Sequence, residues 1–428
     1  MSSEILGKGV PLYLLSDRKD APSETELMVP IPTPMHLAVA LDGAGWHPAA
    51  WREPGAQPQR LFTAGYWSEL AQQAERGLLD FLTIEDGLSL QSDDHFQADS
   101  RTDRVRGQLD AVLIAARTAP VTRHIGFVPT AITAHTEPFH LSKAIATLDY
   151  VSAGRAGIRV QVGARADAAA HFGRREITPL RADQLGDPAV QRLIAERFDE
   201  AADYVEVLRR LWDSWEDDAE IRDVATGRFI DRDKLHYIDF EGRWFSVKGP
   251  SITPRPPQGQ PVVAALGHAS VPYQLIARSA DVGFVTPRDA AHAAEIVAEI
   301  RAGQARAGRE GQTVHVFGDL VVFLDETETA AVARKQRLDE LAGAEYHSDA
   351  RVYTGTAAGL ADLLQDWQAA GLSGFRLRPA ALPHDLIYLT ERLVPELQRR
   401  GLFRARYEAD TLRGLLGLAR PANRYAAA

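Results

Sequence analysis

Short apolar runs alternate with segments of helical periodicity along most of the chain. In the first helical segment, apolar residues recur at Trp67, Leu70, Ala71 and Ala74, and Gly77 marks its end. Eight apolar runs have the length expected of buried strands: 35–43, 80–86, 124–132, 155–163, 261–267, 282–287, 314–325 and 374–379. Continuous apolar strands separated by helices indicate a parallel sheet that is covered on both faces. Eight such units favour a closed (β/α)8 TIM barrel, an α/β fold.

Two segments do not follow this alternation. Residues 1–34 are rich in Pro, Ser and charge and predict an extended N-terminal lead-in. At about 213–260, after a helix that ends in LWDSW, a polar stretch with alternating aromatic residues predicts an insertion that contains hairpins. No clear linker divides the rest of the chain, so residues 35–428 are predicted to form one barrel domain.

In a barrel of this type the active site forms at the carboxyl ends of the strands. That rule selects the polar and glycine positions at the predicted strand ends: Asp42, Glu85, Asp86, Thr130, Thr133, Arg159, Gln161, Gly163, Gly267, His268, Ser270, Arg376 and Arg378. The set is rich in hydrogen-bond donors and poor in nucleophiles, and the sequence has no hydrolase elbow, Walker loop or HExxH helix. No histidine pair has helical ligand spacing with a nearby acid, so no metal site is predicted.

Composition narrows the classes of partner. The formal net charge is −10 and the pI is about 5.7, without a basic stripe, so nucleic acid is not expected as a partner. Cysteine is absent, which excludes disulfides, thiolate metal sites and cysteine nucleophiles. The sequence shows no apolar run of about 18 residues and no secretory signal pattern at its start. We therefore expect a cytoplasmic enzyme that does not contact a membrane.

Five stretches carry a resemblance to a known family. In order they are YWSELAQQAERGLLDFLTIED, TEPFHLSKAIATLDYVSAGRAG, RFDEAADYVEVLRRLWDSWEDDAEIRD, GRFIDRDKLHYIDFEGRWFSVKGPSITPRPPQGQPVV and VPELQRRGLFRARYEADTLRGLLGL. Together they resemble the bacterial-luciferase-like flavin monooxygenases over about Met35 to Leu418. Within that family they are most similar to the branch of nitrilotriacetate monooxygenase, dibenzothiophene-sulfone monooxygenase and long-chain alkane monooxygenase.

The resemblance implies a function as well as a fold. Members of the family bind reduced FMN, which a separate NAD(P)H:flavin reductase supplies, and use dioxygen to oxygenate a small organic substrate. The chain itself has no G-x-G-x-x-G turn between a strand and a helix, so no dinucleotide fold of its own is predicted. The family also implies a homo-oligomer, a dimer or a tetramer. Two alternatives stay open: a deazaflavin-dependent oxidoreductase, because such barrels host that cofactor too, and a flavin-binding protein without turnover.

The resemblance assigns flavin contacts residue by residue. Asp86 matches the family's strand-end aspartate beside the flavin ring, and Thr130 and Ala131 match positions that line the ring. Where the family's next strand reads W-N-V-V-T-S, this chain has the run Ile158 to Gly163, which places Arg159, Gln161 and Gly163 at flavin positions. Arg159 either stabilises an anionic reduced flavin or forms a structural ion pair. The tyrosine of the family's R-Y-x-x-A is replaced by Phe198, which loses a hydroxyl that could reach the phosphate.

The FMN phosphate is expected at the turn Gly267, His268, Ala269 and Ser270, where a helix follows a strand directly. Gly267 would allow close backbone approach. Ser270 is a candidate donor to the phosphate and a candidate N-cap of the helix, and the two roles are compatible.

Two histidines after predicted strands, His47 and His135, are candidate catalytic acids or bases, with a purely local hydrogen bond as the alternative for each. The segment between Leu341 and Thr354 is shorter than in the long-chain alkane monooxygenase-like relatives. This predicts a pocket that is more open, or one that another segment or a partner subunit closes.

Overall fold

A computed structural model describes residues 34–94, 96–163 and 165–426. It contains all eight predicted strands: β1 (His36–Leu41), β2 (Phe81–Ile84), β3 (Gly126–Ile132), β4 (Gly157–Gln161), β5 (Val262–Gly267), β6 (Val282–Val285), β7 (His315–Leu324) and β8 (Gly374–Pro379). Each strand pairs in parallel with the next along the chain, and β8 pairs with β1. The predicted closed eight-stranded barrel is therefore confirmed. The predicted extended lead-in lies outside the described residues except for Pro34.

Helices follow most of the strands, as the periodicity predicted. They are α1 (Ala64–Arg76), α2 (Ala111–Thr118), α3 (Pro138–Val151), α4 (Ala166–Phe172), α5 (Pro188–Asp213), α6 (Ser270–Ser279), α7 (Ala290–Arg306), α8 (Glu328–Ala342), α9 (Ala357–Ala369), α10 (His384–Tyr388), α11 (Val394–Arg399) and α12 (Leu412–Leu415). The apolar spacing in LIYLTERLVPELQRRG predicts one helix after β8, but a π-helical turn at Leu389–Leu393 divides this segment. Pro395 follows that turn and has no N–H to continue an α-helical ladder.

The barrel has an apolar base and a charged mouth. Because side chains alternate along a strand, one set faces the helices and the other faces the barrel interior. Near the amino ends the interior is filled by Phe81, Phe284 and Phe317, against which Leu412 of α12 packs. Toward the carboxyl ends the interior positions carry Arg159, Asp319, Arg376 and Arg378, all buried. Burial of four neighbouring charged side chains is costly unless they pair, and these four lie toward the end of the barrel where active sites form.

The insertion contains two hairpins, Glu220–Asp223 with Arg228–Ile230 and Phe240–Glu241 with Ser246–Val247, in agreement with the alternating pattern. A further strand, Arg351–Gly355, pairs with the outer half of β7. That pairing holds residues 343–350 beside the barrel mouth. In the part of the chain that the structure covers, no helix is long and apolar enough to cross a membrane.

Candidate active site

A cavity of about 830 Å³ opens at the carboxyl ends of the strands. Its volume lies within the range of about 300–1,000 Å³ that is common for small-molecule sites. Strand ends contribute Asp42, Glu85, Asp86, Gln161 and Gly163 to its wall. The loop 87–94 and the segment 344–349 complete the wall, so the short segment after α8 itself covers part of the mouth.

A buried ion network forms the floor of the mouth. Asp319 on β7 accepts hydrogen bonds from Arg376 and Arg378 on β8: Nε of Arg376 is 2.9 Å from Oδ1, and Nε of Arg378 is 3.0 Å from Oδ2. All three side chains are at most 1% exposed. Burial by itself raises the pKa of Asp319, but the two guanidiniums outweigh it and hold that pKa below its usual value. Asp319 is therefore ionised and joins the two arginines.

Glu85 links this network to β4. Its carboxylate pairs with Arg159 and accepts a hydrogen bond from Nη1 of Arg376 at 3.2 Å. Arg159 also donates to Oγ1 of Thr130 and Oε1 of Gln161, each at 2.9 Å. Burial lowers the pKa of Arg159 to about 10, so it stays protonated at neutral pH. Arg159 thus forms an ion pair with Glu85 inside the barrel. Glu85 and Gln161 line the cavity, whereas Arg159 does not.

Asp86 lies at the cavity wall but also organises the loop around it. Its carboxylate accepts hydrogen bonds from the N–H of Gly87 at 2.7 Å, the amide of Gln108 at 3.0 Å and the N–H of Ala111 at 2.9 Å. Burial raises the pKa of Asp86, and these donors oppose that effect. The carboxylate thus ties the end of β2 to the start of α2.

Replacing Asp86 with alanine is expected to lower the free energy of unfolding by about 1–3 kcal/mol, because partly buried N–H groups lose their acceptor. The variant should still fold, since Asp86 lies outside the barrel core, and it should bind reduced FMN more weakly. Chemical denaturation and a flavin titration measure the two effects. Asp86→Asn, which keeps one acceptor oxygen, is the matched control. Unchanged affinity in both folded variants would remove Asp86 from the flavin site.

The predicted phosphate turn begins a helix that has no side-chain cap. Ala269 is the N-cap residue of α6 and Ser270 is its first helical residue, so the expectation that Ser270 caps the helix is wrong. Pro272 has no N–H, and the first bond of the helix runs from Tyr273 N–H to the carbonyl of Ala269. The N–H groups of Ser270 and Val271 have no acceptor among the described residues.

His268 and Gly267 occupy different faces of this turn. His268 is exposed, with Nδ1 at 3.0 Å from Oγ1 of Thr286 and Nε2 at 3.5 Å from a carboxylate oxygen of Asp349. A Cβ added at Gly267 would lie 2.9 Å from Tyr273 and 3.1 Å from Ile276. The glycine is therefore required by packing under α6, and a bulky residue there would disturb the helix before it could block a ligand.

The two candidate histidines do not line the cavity. His47 is buried, with Nε2 at 3.1 Å from Oδ1 of Asp339 and Nδ1 accepting the N–H of Ala49 at 3.1 Å, so both ring nitrogens have local partners. His135 is buried against the ring of Phe172, and its Nε2 has no hydrogen-bond partner among the described residues. Burial lowers the pKa of both imidazoles. Both are therefore largely neutral at pH 7.

The remaining predicted flavin positions are less exposed. Thr130 and Ala131 are buried in β3. Phe198 packs against the apolar layer between strands and helices. A Cβ at Gly163 would lie 2.9 Å from Ile132, so a side chain there would crowd the strand end. Within the described ranges, no group of three His, Cys, Asp or Glu side chains has the arrangement of a metal site.

Comparison with known proteins assigns the family. A family model described as luciferase-like monooxygenase matches residues 44–382. The chain belongs to this family of enzymes. It is 30% identical over 455 residues to N-acetyl-S-(2-succino)cysteine monooxygenase of Bacillus subtilis (strain 168), covering 91% of this chain and 98% of the relative. It is also 30% identical over 458 residues to nitrilotriacetate monooxygenase component A of Aminobacter aminovorans, covering 91% and 97%.

A solved structure of a riboflavin lyase with modified FMN and riboflavin superposes with a TM-score of 0.77 at 25% identity, covering 90% of this luciferase-like chain and 96% of that one. The resemblance seen in the sequence and the fold that it implied are thus confirmed.

Sequence reasoning did not identify the central acid of the site. Asp319 lies within the apolar run HVFGDLVVFL, where a single charged residue at a barrel-facing position is itself a signal of a buried partner. Asp349, whose Oδ1 accepts a hydrogen bond from Nη1 of Arg378 at 2.7 Å, gave no such signal because it lies in a polar loop.

Proposed function

We propose that this chain is the oxygenating component of an FMN-dependent, two-component monooxygenase. It would use reduced FMN from a separate NAD(P)H:flavin reductase, together with dioxygen, to oxygenate a small organic substrate. Membership of the luciferase-like monooxygenase family supports the reaction class. The observation that carries the cofactor is the start of α6 just after the carboxyl end of β5, where the N–H groups of Ser270 and Val271 have no acceptor among the described residues.

FMN suits the residues at the barrel mouth. A helix start bears roughly half a positive charge, and the N–H groups of Ser270 and Val271 are free to bind a phosphate dianion. The hydroxyl of Ser270 and the imidazole of His268 add exposed donors on the same turn. The cavity is large enough for a ring system and a small substrate, and its wall offers hydrogen-bonding side chains at Gln161 and Asp86.

Reduced FMN, when bound, would supply the two electrons that allow one atom of dioxygen to enter the substrate while the other leaves as water. The protein's part is to orient its ligands, limit the access of water and control protons. The network of Asp319, Arg376 and Arg378 fixes the floor rigidly, since each charged group has an opposite partner. The segment 344–349 and the loop 87–94 form part of the cavity wall, where they would limit the access of water to bound ligands.

The partner is proposed from a relative. Nitrilotriacetate monooxygenase component A is by name one component of a larger enzyme. We extend that organisation to this chain, with a flavin reductase as the other component. The cytoplasmic location and the homo-oligomeric state, a dimer or a tetramer, stay predictions.

The purified chain is expected to show no useful NAD(P)H oxidation with FMN, because its sequence contains no G-x-G-x-x-G turn between a strand and a helix. Addition of a flavin reductase should start oxygen consumption. Following NADH absorbance with and without the reductase measures this. Steady NADH consumption by the chain alone would contradict the two-component scheme.

Titrations with FMN, reduced FMN and a deazaflavin separate the three candidate functions. Tight binding of reduced FMN, followed by an oxygen-dependent product, supports the monooxygenase. Preference for the deazaflavin would favour the oxidoreductase alternative. Flavin binding with no product across candidate substrates would favour the binding protein.

A further inference from the structure

Asp42 differs from the other carboxylates at the barrel mouth. It follows β1 directly and lies in the wall of the main cavity and in that of a smaller recess. Apolar side chains, among them Leu61, Phe62, Trp67 and Val105, contribute to the recess. Glu85, Asp86, Asp319 and Asp349 all accept hydrogen bonds, whereas the carboxyl of Asp42 has no hydrogen-bond donor among the residues described. It is therefore the cavity-wall acid that has no structural partner to hold its charge.

The backbone at Asp42 is held firmly. Its carbonyl accepts the N–H of Gly45 at 2.7 Å, and the hydroxyl of Tyr66 donates to the carbonyl of Gly43 at 2.8 Å. A Cβ at Gly45, where φ is +127°, would lie 2.5 Å from the carbonyl oxygen of Ala380. The turn is thus closely packed against the end of β8, and this holds the backbone of Asp42 in place at the barrel mouth.

Charged and titratable groups on several elements of the barrel mouth lie near Asp42. Glu85 after β2, Arg159 on β4 and Arg378 on β8 act on it electrostatically. Burial and then Glu85 raise the pKa of Asp42 to about 7, against the lowering effect of the two arginines. The phenols of Tyr66 on α1 and Tyr346 in the segment 344–349 are neutral neighbours whose own pKa values are raised mainly by burial.

The two arginines do not keep Asp42 ionised because each is already paired. Arg159 forms an ion pair with Glu85. Arg378 pairs with Asp319 and with Asp349. Asp42 consequently gains and loses its proton near neutral pH, which is the condition for efficient proton transfer.

We propose that Asp42 is a catalytic acid of this enzyme, the group that delivers a proton to dioxygen-derived oxygen in the cavity. The inference rests on the proposed function. Reduced FMN as its anion, dioxygen, one proton and substrate yield oxidised FMN, oxygenated substrate and water. Without substrate, the same reduced FMN, dioxygen and one proton yield oxidised FMN and hydrogen peroxide. In both cases the carboxyl of Asp42 supplies the proton and is reprotonated from solvent through the cavity.

The first test needs no flavin. Infrared difference spectra of the flavin-free protein, recorded between about pH 5 and about pH 9, report protonated carboxyl groups. The wild type should lose a carboxyl band with a midpoint near the pKa of about 7, and Asp42→Asn should lack that transition. Glu310→Gln, which removes an exposed carboxyl before β7 at the opposite end of the barrel, should keep it. An unchanged transition in Asp42→Asn, or none in the wild type, would overturn the proposal.

The pH dependence of stability is an independent test, because the raised pKa predicts the direction of the change. The folded state holds the proton of Asp42 up to about pH 7, whereas the unfolded chain releases it near the ordinary value of 3.8. The wild type therefore loses stability relative to Asp42→Asn as pH rises through this window. The Tm of the wild type should therefore fall relative to that of Asp42→Asn as the pH is raised from 3.8 to about 7. A difference that is constant with pH would contradict a shifted carboxyl at this position.

The last test connects the proton to the chemistry. Reduced FMN bound to the protein is mixed with dioxygen, and the rates of FMN oxidation and peroxide release are followed across pH. The wild-type rate should change with an ionisation near pH 7, and Asp42→Asn should be about 100-fold slower with a flat profile. Asp42→Glu, which restores a carboxyl, should recover part of the rate and the pH dependence.

If Asp42→Asn binds FMN normally and its oxidation rate depends on pH as in the wild type, the role of Asp42 would be overturned while the proposed function stays intact. Failure of the wild type to bind FMN would overturn both. The infrared titration still decides the protonation of Asp42 in that case.

Discussion

Replacing Asp319 with alanine is expected to destabilise the protein by about 3–5 kcal/mol, the cost of leaving buried charges without a partner. The carboxylate is fully buried and accepts hydrogen bonds from Arg376 and Arg378, which are buried as well. In the variant, Arg376 still pairs with Glu85 and Arg378 still pairs with Asp349. The cost in stability is therefore smaller than that of two buried arginines without any partner. Chemical denaturation measures the change.

The matched control is an exposed pair of the same kind. Arg60 and Glu69 form a salt bridge with side chains 40% and 57% exposed, and Glu69→Ala should change stability very little. Asp319→Asn keeps the shape and one acceptor but removes the charge, so its effect should lie between these two. Equal stability of Asp319→Ala and Glu69→Ala would show that the network does not stabilise the fold. It would also remove the argument that the floor of the site is rigid.

Most of the fold could be predicted from the sequence because buried parallel strands are continuously apolar. The run in β3 and the run in β5 stand out against helical periodicity on either side, and eight such runs favour a closed barrel. The insertion was visible for a similar reason, since its aromatic residues alternate in the manner of hairpins. The helix after β8 was predicted without a break because the effect of Pro395 on hydrogen bonding is not a feature of hydrophobic periodicity.

The site was less accessible to such reasoning because it depends on register. Asp319 and Arg376 are 57 positions apart and lie side by side only because β7 and β8 align them in the sheet. Strand-end rules identified Arg376 and Arg378 as candidates, but not the acid that holds them. Gly267 illustrates the same limit: the sequence indicates a glycine at a strand end, whereas the alternation of side chains decides that it faces α6 rather than a ligand.

The turn before α6 allows a test in which stability and binding move in opposite directions. Ala269 is in the extended conformation that N-cap residues adopt, and it is exposed. An aspartate there would accept the N–H of Val271 and place a negative charge at the positive end of the helix. Such caps stabilise a helix by about 0.5–2 kcal/mol. The same carboxylate would occupy one of the donors proposed for the FMN phosphate, the N–H of Val271, and would repel the phosphate.

Ala269→Asp is therefore expected to raise Tm slightly and to weaken FMN binding by about 10- to 150-fold, which corresponds to about 1.5–3 kcal/mol for charge-assisted hydrogen bonds. Riboflavin, which lacks the phosphate, should bind wild type and variant equally and more weakly than FMN binds the wild type. Ala269→Asn caps the helix without a charge and should weaken FMN binding less. Titration calorimetry of the three proteins with FMN and riboflavin measures these affinities. If Ala269→Asp stabilised the protein but bound FMN as the wild type does, the phosphate would lie elsewhere, because the aspartate would hold the N–H of Val271 and repel a phosphate at this turn.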